Sequence, residues 1–162
     1  MQNAKDTFYL TLRDRITALN PARTVLVRGQ LRPAVVVEEN ELVSSFTHRD
    51  TFTLRWTEAT LDPQSSLARQ HCEIRYATGG STGNAGMDRG RTLSAMDMEL
   101  AHALNTAPQH AVKQNYSAAS PVALGDNIFW TNARFEATTI DGELLQRTAH
   151  IDVFSLHKET AS

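Results

Sequence analysis

Two amphipathic helices set among runs of alternating and β-branched residues, with no repeated strand-helix-strand unit, predict an α+β fold. The first helix is read over residues 5 to 19, where Phe8, Leu12, Ile16 and Leu19 recur at helical spacing while Lys5, Asp6, Arg13, Asp14 and Arg15 fall mainly elsewhere. Asn20-Pro21 ends it. The second is read from Leu93, Met96, Leu100, Ala103 and Leu104, about 16–18 residues in all, stopped by Pro108.

Between the helices the period shortens. Thr24 to Val27 and Ala34 to Val37, separated by Gly29 and Pro33, read as two buried strands at the centre of a sheet. Phe52, Leu54 and Trp56 alternate with Thr51, Thr53, Arg55 and Thr57, the mark of a half-buried strand, and Cys72, Ile74 and Tyr76 repeat the pattern. Residues 59 to 70 are polar and hold Asp62-Pro63 and Ser65-Ser66, so a loop is expected there. In the last third, Phe129, Ala133, Phe135 and Ala137 share one parity against Trp130, Asn132, Arg134 and Glu136, while Ala149, Ile151 and Val153 oppose Thr148, His150 and Asp152. A three-residue loop, Ile140 to Gly142, keeps the apolar sets together better than a two-residue Asp141-Gly142 turn. That register puts Ala133 opposite Ala149 and Phe129 opposite Val153. It also gathers Trp130, Asn132, Arg134, His150 and Asp152 on an outer face.

The chain has 162 residues, enough for one domain with a real core, and one domain over 1–162 is expected, with flexible loops near 44–50, 59–70 and 78–88. Hydrophobic content of 41% without an apolar run of about 20 residues argues against a membrane protein. The N-terminus lacks the basic-then-apolar pattern of a secretory signal, and Cys72 is the only cysteine, so an intracellular site of synthesis is expected, with no intrachain disulfide and no Cys-based zinc site. A net charge of -2 argues against a broad nucleic-acid footprint. Arg23, Arg28 and Arg32 are nearly balanced by Glu38, Glu39 and Glu41.

Four of the eight glycines lie in the run Ala77 to Gly86, after a strand and before a helix, a context in which backbone amides can hold phosphate. No Gly-Lys-Ser/Thr ending follows, and Gly80, Gly83 and Gly86 miss the dinucleotide spacing. Arg89 and Arg91 oppose the helix dipole, a cost that an anion or Asp88 would ease. A mobile connection or a loop contacting another subunit is favoured over an anion site. Glu99 and His102 have the spacing of a metal pair, but no second pair accompanies them, and with Asp97 they read as a solvated helix face. His150 and Asp152 are neighbours on a strand without a nucleophile, since Ser117, Ser120 and Cys72 have no assigned place. Trp and Arg on a strand face favour a protein interface. His48-Arg49-Asp50 and His71 are expected in solvated connections.

The opening Phe8 to Val27, with Asn20-Pro21 between helix and strand, resembles that of phage tail-terminator and tail-completion proteins. The segment from Glu73 to Leu104, with Ile74-Arg75-Tyr76-Ala77-Thr78-Gly79-Gly80 and Met87-Asp88-Arg89-Gly90-Arg91 leading into the second helix, is similar to phage minor tail proteins. The resemblance implies a mixed or antiparallel twisted sheet packed against two helices, with no catalytic residues and no cofactor. It implies subunits that assemble with themselves into a ring and cap a tail tube or meet a head-tail connector, in a virion tail made in the bacterial cytoplasm. Trp130, Asn132, Arg134, His150, Asp152, Gly80, Gly83, Arg89 and Arg91 are the expected contact residues. The rival expectation is a small anion- or nucleotide-binding protein or enzyme using Gly79 to Gly86 with Arg89 and Arg91.

Overall fold

A computed structural model describes residues 1–41, 48–80, 83–106 and 108–157. The expected loop at 44–50 is therefore described only from His48, and Ser81 and Thr82 of the Gly-rich run lie outside the described residues. Helix α1 spans Gln2–Leu19, and α3, Met87–Asn105, follows the short α2, Glu38–Glu41. The strands are β1 (Thr24–Val27), β2 (Gln30–Pro33), β3 (Val35–Val37), β4 (Phe52–Asp62), β5 (Leu67–Thr78), β6 (His110–Asn115), β7 (Val122–Trp130), β8 (Arg134–Phe135), β9 (Thr139–Asp141) and β10 (Leu144–Leu156). An eight-stranded sheet runs β3-β4-β5-β10-β7-β6, with β8 and β9 also pairing with β10. Among the described residues its strands pair antiparallel except for β3 with β4, and Arg49 adds one isolated parallel bridge to Ala77 of β5. The α+β class with a mixed sheet is thus the observed one.

Periodicity explains the layering. Phe8, Leu12 and Ile16 of α1 and Leu93, Met96, Leu100 and Leu104 of α3 are buried together with Phe52, Leu54, Cys72, Ile74, Tyr76, Ile128, Ala149, Ile151 and Val153 of the sheet. β4, β5, β7 and β10 each contribute alternate residues to this core. Phe8 anchors it, meeting Trp56 at 5.9 Å and Trp130 at 5.6 Å in edge-to-face contacts. The last carbonyls of α3 have no partner within the helix. Arg15 Nη1 donates to Ala103 O at 2.9 Å and Trp130 Nε1 donates to Leu104 O at 2.9 Å, which fastens α1 and β7 to that end.

Several expectations are corrected. Thr24–Val27 is not central: β1 pairs only with β2 in a separate hairpin, where the cross-strand pair Leu26 and Leu31 is 64% and 70% exposed. Val35–Val37 is fully buried yet lies at a sheet edge, because burial comes from packing against α1 as well as from strand neighbours. The centre belongs to β5 and β10, paired over twelve residues. Residues 59–70 are not a loop, since β4 and β5 form one long hairpin around Pro63 to Ser66. Its outer half reads as loop because residues 57 to 62 are exposed on both faces. Asp62 closes the turn by accepting from Gln64 N at 3.0 Å and Ser65 Oγ at 2.5 Å.

The last hairpin turns at Gly142-Glu143, with Leu144 opposite Asp141 and Gly142 at φ 57. Both sequence-derived loops are displaced by this, and Val153 faces Trp130 where Phe129 was expected. Slippage between successive pairings of β10 defeats any single register: Leu144 with Asp141, then Ala149 with Phe135, then Val153 with Trp130. Strand β6 was not expected at all. Its Lys113 turns inward and donates at 2.7 Å to both Asp126 Oδ2 and Leu156 O, and its register with β7 slips between Val112 and Gln114.

Candidate interaction surface

Both long helices cover one face of the sheet, so the side chains of opposite parity line a face with no layer over it among the described residues. On β5 these are Leu67, Arg69, His71, Glu73 and Arg75; on β10 they are Thr148, His150, Asp152, Phe154 and Leu156. β4 adds Arg55 and, after its bulge, Glu58 opposite His71. β7 adds Phe129 opposite Phe154, and β6 adds His110 opposite Phe129.

The face has two halves. At one end Leu67 faces Leu156 and Phe154 faces Phe129, with His110 at 5.9 Å from the Phe129 ring and Val112 two residues along β6. Leu67, Leu156, Phe129 and Val112 are 39%, 42%, 52% and 49% exposed, so four strands each bring an exposed apolar side chain to this end of the face, with Asn127 between Leu156 and Val112. Beside it lies a charged field. Arg55, Arg69, Arg75 and Arg134 are interspersed with Glu58, Glu73, Glu136 and Asp152.

At the centre of that field four side chains form a line. Asp152 Oδ1 lies 2.8 Å from His71 Nδ1, His71 Nε2 lies 2.9 Å from His150 Nδ1, and His150 Nε2 lies 2.6 Å from Glu136 Oε1. Arg69 donates to the other Asp152 oxygen at 3.2 Å. Burial alone would raise the Asp152 carboxyl, but hydrogen bonds from His71 and Arg69 outweigh it and hold the group below its ordinary value. Exposed ion pairs contribute about 0–1 kcal/mol each, so this field adds little to fold stability.

The expected contact residues divide. His150, Asp152 and Arg134 do share the outer face, with Arg134 directly opposite His150. Trp130 does not. It is 5% exposed, in the core against Phe8 and the Arg15 guanidinium, because β7 turns Ile128 and Trp130 inward and Phe129 outward. Asn132 is exposed and accepts a hydrogen bond from Gln109 Nε2. Gly80, Gly83, Arg89 and Arg91 lie beyond the far end of β5, about 23 Å of strand separating His71 from Thr78.

There the glycines serve packing. A Cβ on Gly79 would meet Arg49 Nη1 at 2.8 Å, and one on Gly80, where φ is +48, would meet Arg89 Cα at 2.8 Å. Gly80 N donates to Thr78 Oγ1 and Gly86 N to Gly83 O, while Arg91 pairs with Asp88 at 2.5 Å.

Other sequence expectations are corrected here. Glu99 does not lie on a solvated face: it takes Arg23 Nε at 2.5 Å, Arg23 Nη2 at 2.7 Å and Asn20 Nδ2 at 2.9 Å. Burial pushes its carboxyl up, yet Arg23 and Asn20 hold it below its ordinary value. Asp97 likewise pairs with Arg147 at 2.9 Å and accepts from the Tyr76 hydroxyl. His102 alone of the three is exposed as expected, on the rim of a shallow groove of about 260 Å³ that Arg15, Ala18 and Leu19 also line. Cys72 is buried in the core, and burial pushes its thiol up. Ser117 bonds to Asn115 within the β6–β7 turn. Among the described residues no three His, Cys, Asp or Glu side chains converge as metal ligands.

His71, Arg69 and Glu136 are the participants that sequence reasoning missed. Arg69, His71, Glu73 and Arg75 alternate with Ala68, Gln70, Cys72 and Ile74, so extending the strand backwards from Cys72 through that alternation finds the first two, while Glu136 shares the parity of Arg134 but has no local signal for its contact with His150. Set against known proteins, the chain matches no family model and no curated protein.

Proposed function

We propose that the chain is a structural, non-enzymatic subunit of a phage or prophage tail, of the terminator or completion kind, that self-associates and caps the tail tube. One observation carries this reading: a sheet face left bare by both helices presents the Leu67, Leu156, Phe154, Phe129 and Val112 stripe beside a field of both charge signs. Apolar anchors beside interspersed charges suit a protein partner, the first for affinity and the second for register. The projecting β1–β2 hairpin, with Leu26 beside Leu31, offers a second contact region. Partners under this reading are other copies of the chain and tail tube or head-tail connector proteins.

Arg49 and Arg89 beside Gly79 and Gly80, with Arg89 Nε buried and unbonded, favour the rival reading of an anion- or nucleotide-binding protein. One experiment separates the two. Sedimentation of the wild type should show an oligomer that Phe129→Asp dissolves with only the small fall in melting temperature that loss of association and of one exposed ring brings, and phosphate or nucleotide should leave the wild-type melting temperature unchanged. A monomer at all concentrations, stabilised by either ligand, refutes the assembly reading.

A further inference from the structure

The line Asp152, His71, His150, Glu136 poses a proton-counting problem. Its three contacts, of 2.8, 2.9 and 2.6 Å, each need one bridging proton. Two neutral imidazoles carry one N–H each and so supply two. With Asp152 and Glu136 as carboxylates at the ends, the third must come from one further proton on the pair. A fourth cannot be held, because two imidazolium rings would point N–H at N–H across 2.9 Å. The ring planes differ by only 25° and the centroids are 5.1 Å apart, so the rings meet edge to edge within one hydrogen bond. Lone pairs that face each other this way do not converge on a third point, and the arrangement suits a proton rather than a metal ion.

The geometry points to a one-proton lock: His71 and His150 together bind a single proton that ties Glu136, in the segment between β8 and β9, onto the β5–β10 sheet. When it leaves, the more exposed carboxylate is the one that can turn to water: Glu136 is 55% exposed against 24% for Asp152, so His71 Nδ1–H still donates to Asp152 and His150 Nδ1–H donates to His71 Nε2. His150 Nε2 is then a bare acceptor facing a carboxylate, so the Glu136 end opens. The groups facing the pair are Arg55 and Glu58 from β4, Arg69, Glu73 and Arg75 from β5, Arg134 from β8, Glu136 from the segment after it and Asp152 from β10. The helices lie on the other side of the sheet.

Proton release also makes the outer face more negative by one charge and frees Glu136 within the charged field that adjoins the proposed contact stripe. Resting on the assembly reading, this makes self-association pH-dependent.

Imidazole 15N shifts of the labelled full chain, recorded from pH 5 to 9 and assigned with His71→Gln and His150→Gln, test the lock. Of the four ring nitrogens in the pair, only His150 Nε2 should gain and lose its proton. Glu136→Gln, whose amide can donate to the bare nitrogen, should move that step down by about one pH unit or more. Two independent histidine titrations that Glu136→Gln leaves unmoved overturn the proposal. In the second arm, sedimentation on either side of the NMR midpoint should show a dissociation constant changing about tenfold or more in the wild type and little in Glu136→Gln. A constant that is the same on both sides overturns the regulatory role. A chain monomeric at every pH sinks the assembly reading, while the 15N result still decides the lock.

Discussion

Replacing Trp130 by alanine tests whether β7 turns that ring into the core or, as the sequence reading had it, onto an outer contact face. The side chain is 5% exposed, meets Phe8 at 5.6 Å, lies under the Arg15 guanidinium at 5.0 Å and donates to Leu104 O at 2.9 Å. Truncating a buried aromatic costs about 3–5 kcal/mol in transfer and cavity terms. The Leu104 carbonyl, at the end of α3, also loses its donor, adding about 1 kcal/mol. For a domain of 162 residues each kcal/mol lowers the melting temperature by about 2–4 °C, so a fall on the order of 10 °C is expected. Trp130→Phe retains most of the apolar contact but not the hydrogen bond and should cost about 1–2 kcal/mol. Phe129→Ala, one residue away and 52% exposed, should cost no more than about 0.5–1 kcal/mol and weaken association instead. Calorimetric melts of the three variants, with sedimentation of Phe129→Ala, make the comparison. A Trp130→Ala protein that melts like the wild type but fails to associate refutes the inward placement.

The two kinds of glycine in the loop and the following helix should respond oppositely. Gly80→Ala forces a Cβ to within 2.8 Å of Arg89 backbone at φ +48 and should destabilise by about 1–3 kcal/mol, whereas Gly90→Ala, inside α3 with nothing within 4 Å, should stabilise by about 0.4–1 kcal/mol, both read from urea midpoints. Cys72, fully buried with its thiol pushed up, should react with a thiol reagent only as fast as the chain opens, so labelling and denaturation should share one urea dependence; fast labelling of native protein contradicts the placement. Glu99 and Asp152 both have folded values held below their ordinary ones, so their contribution is complete above the ordinary carboxylate range and is lost as pH falls through the depressed folded values. Arg23→Met should therefore flatten the acid limb of a stability-against-pH curve, and an unchanged limb argues against the Arg23–Glu99 clasp.

Helices and core strands were legible because burial imposes a period on them. Phe8, Leu12 and Ile16, or Leu93, Met96 and Leu100, name the covered side without reference to any other part of the chain. What local pattern does not carry is partnership. Val35–Val37 announces burial but not its edge position, and the outer half of β4 has no buried side to give a signal although it pairs with β5 to Asp62. The site suffered most from this. Reading residues 59–70 as loop took Arg69 off the sheet, reading His71 as part of a solvated connection took that residue off it too, and a β7 parity error of one residue exchanged Trp130 for Phe129. His150 and Asp152 were found because Ala149, Ile151 and Val153 alternate with them without interruption, but their partners arrive from β5 and from Glu136, through long-range pairings that the slips along β10 conceal.

Strand β6 ends the sheet opposite β3, and an unguarded rim of that kind templates endless addition of further strands. Here the rim is spoiled twice, by the break in pairing after Val112 and by Lys113, whose ammonium is sunk under the strand onto Asp126 and the Leu156 carbonyl. An incoming backbone finds no straight ladder to copy. Growth by fibre-like extension is thereby discouraged at this margin, and copies that do meet are steered toward broadside contacts, whose number closure can limit.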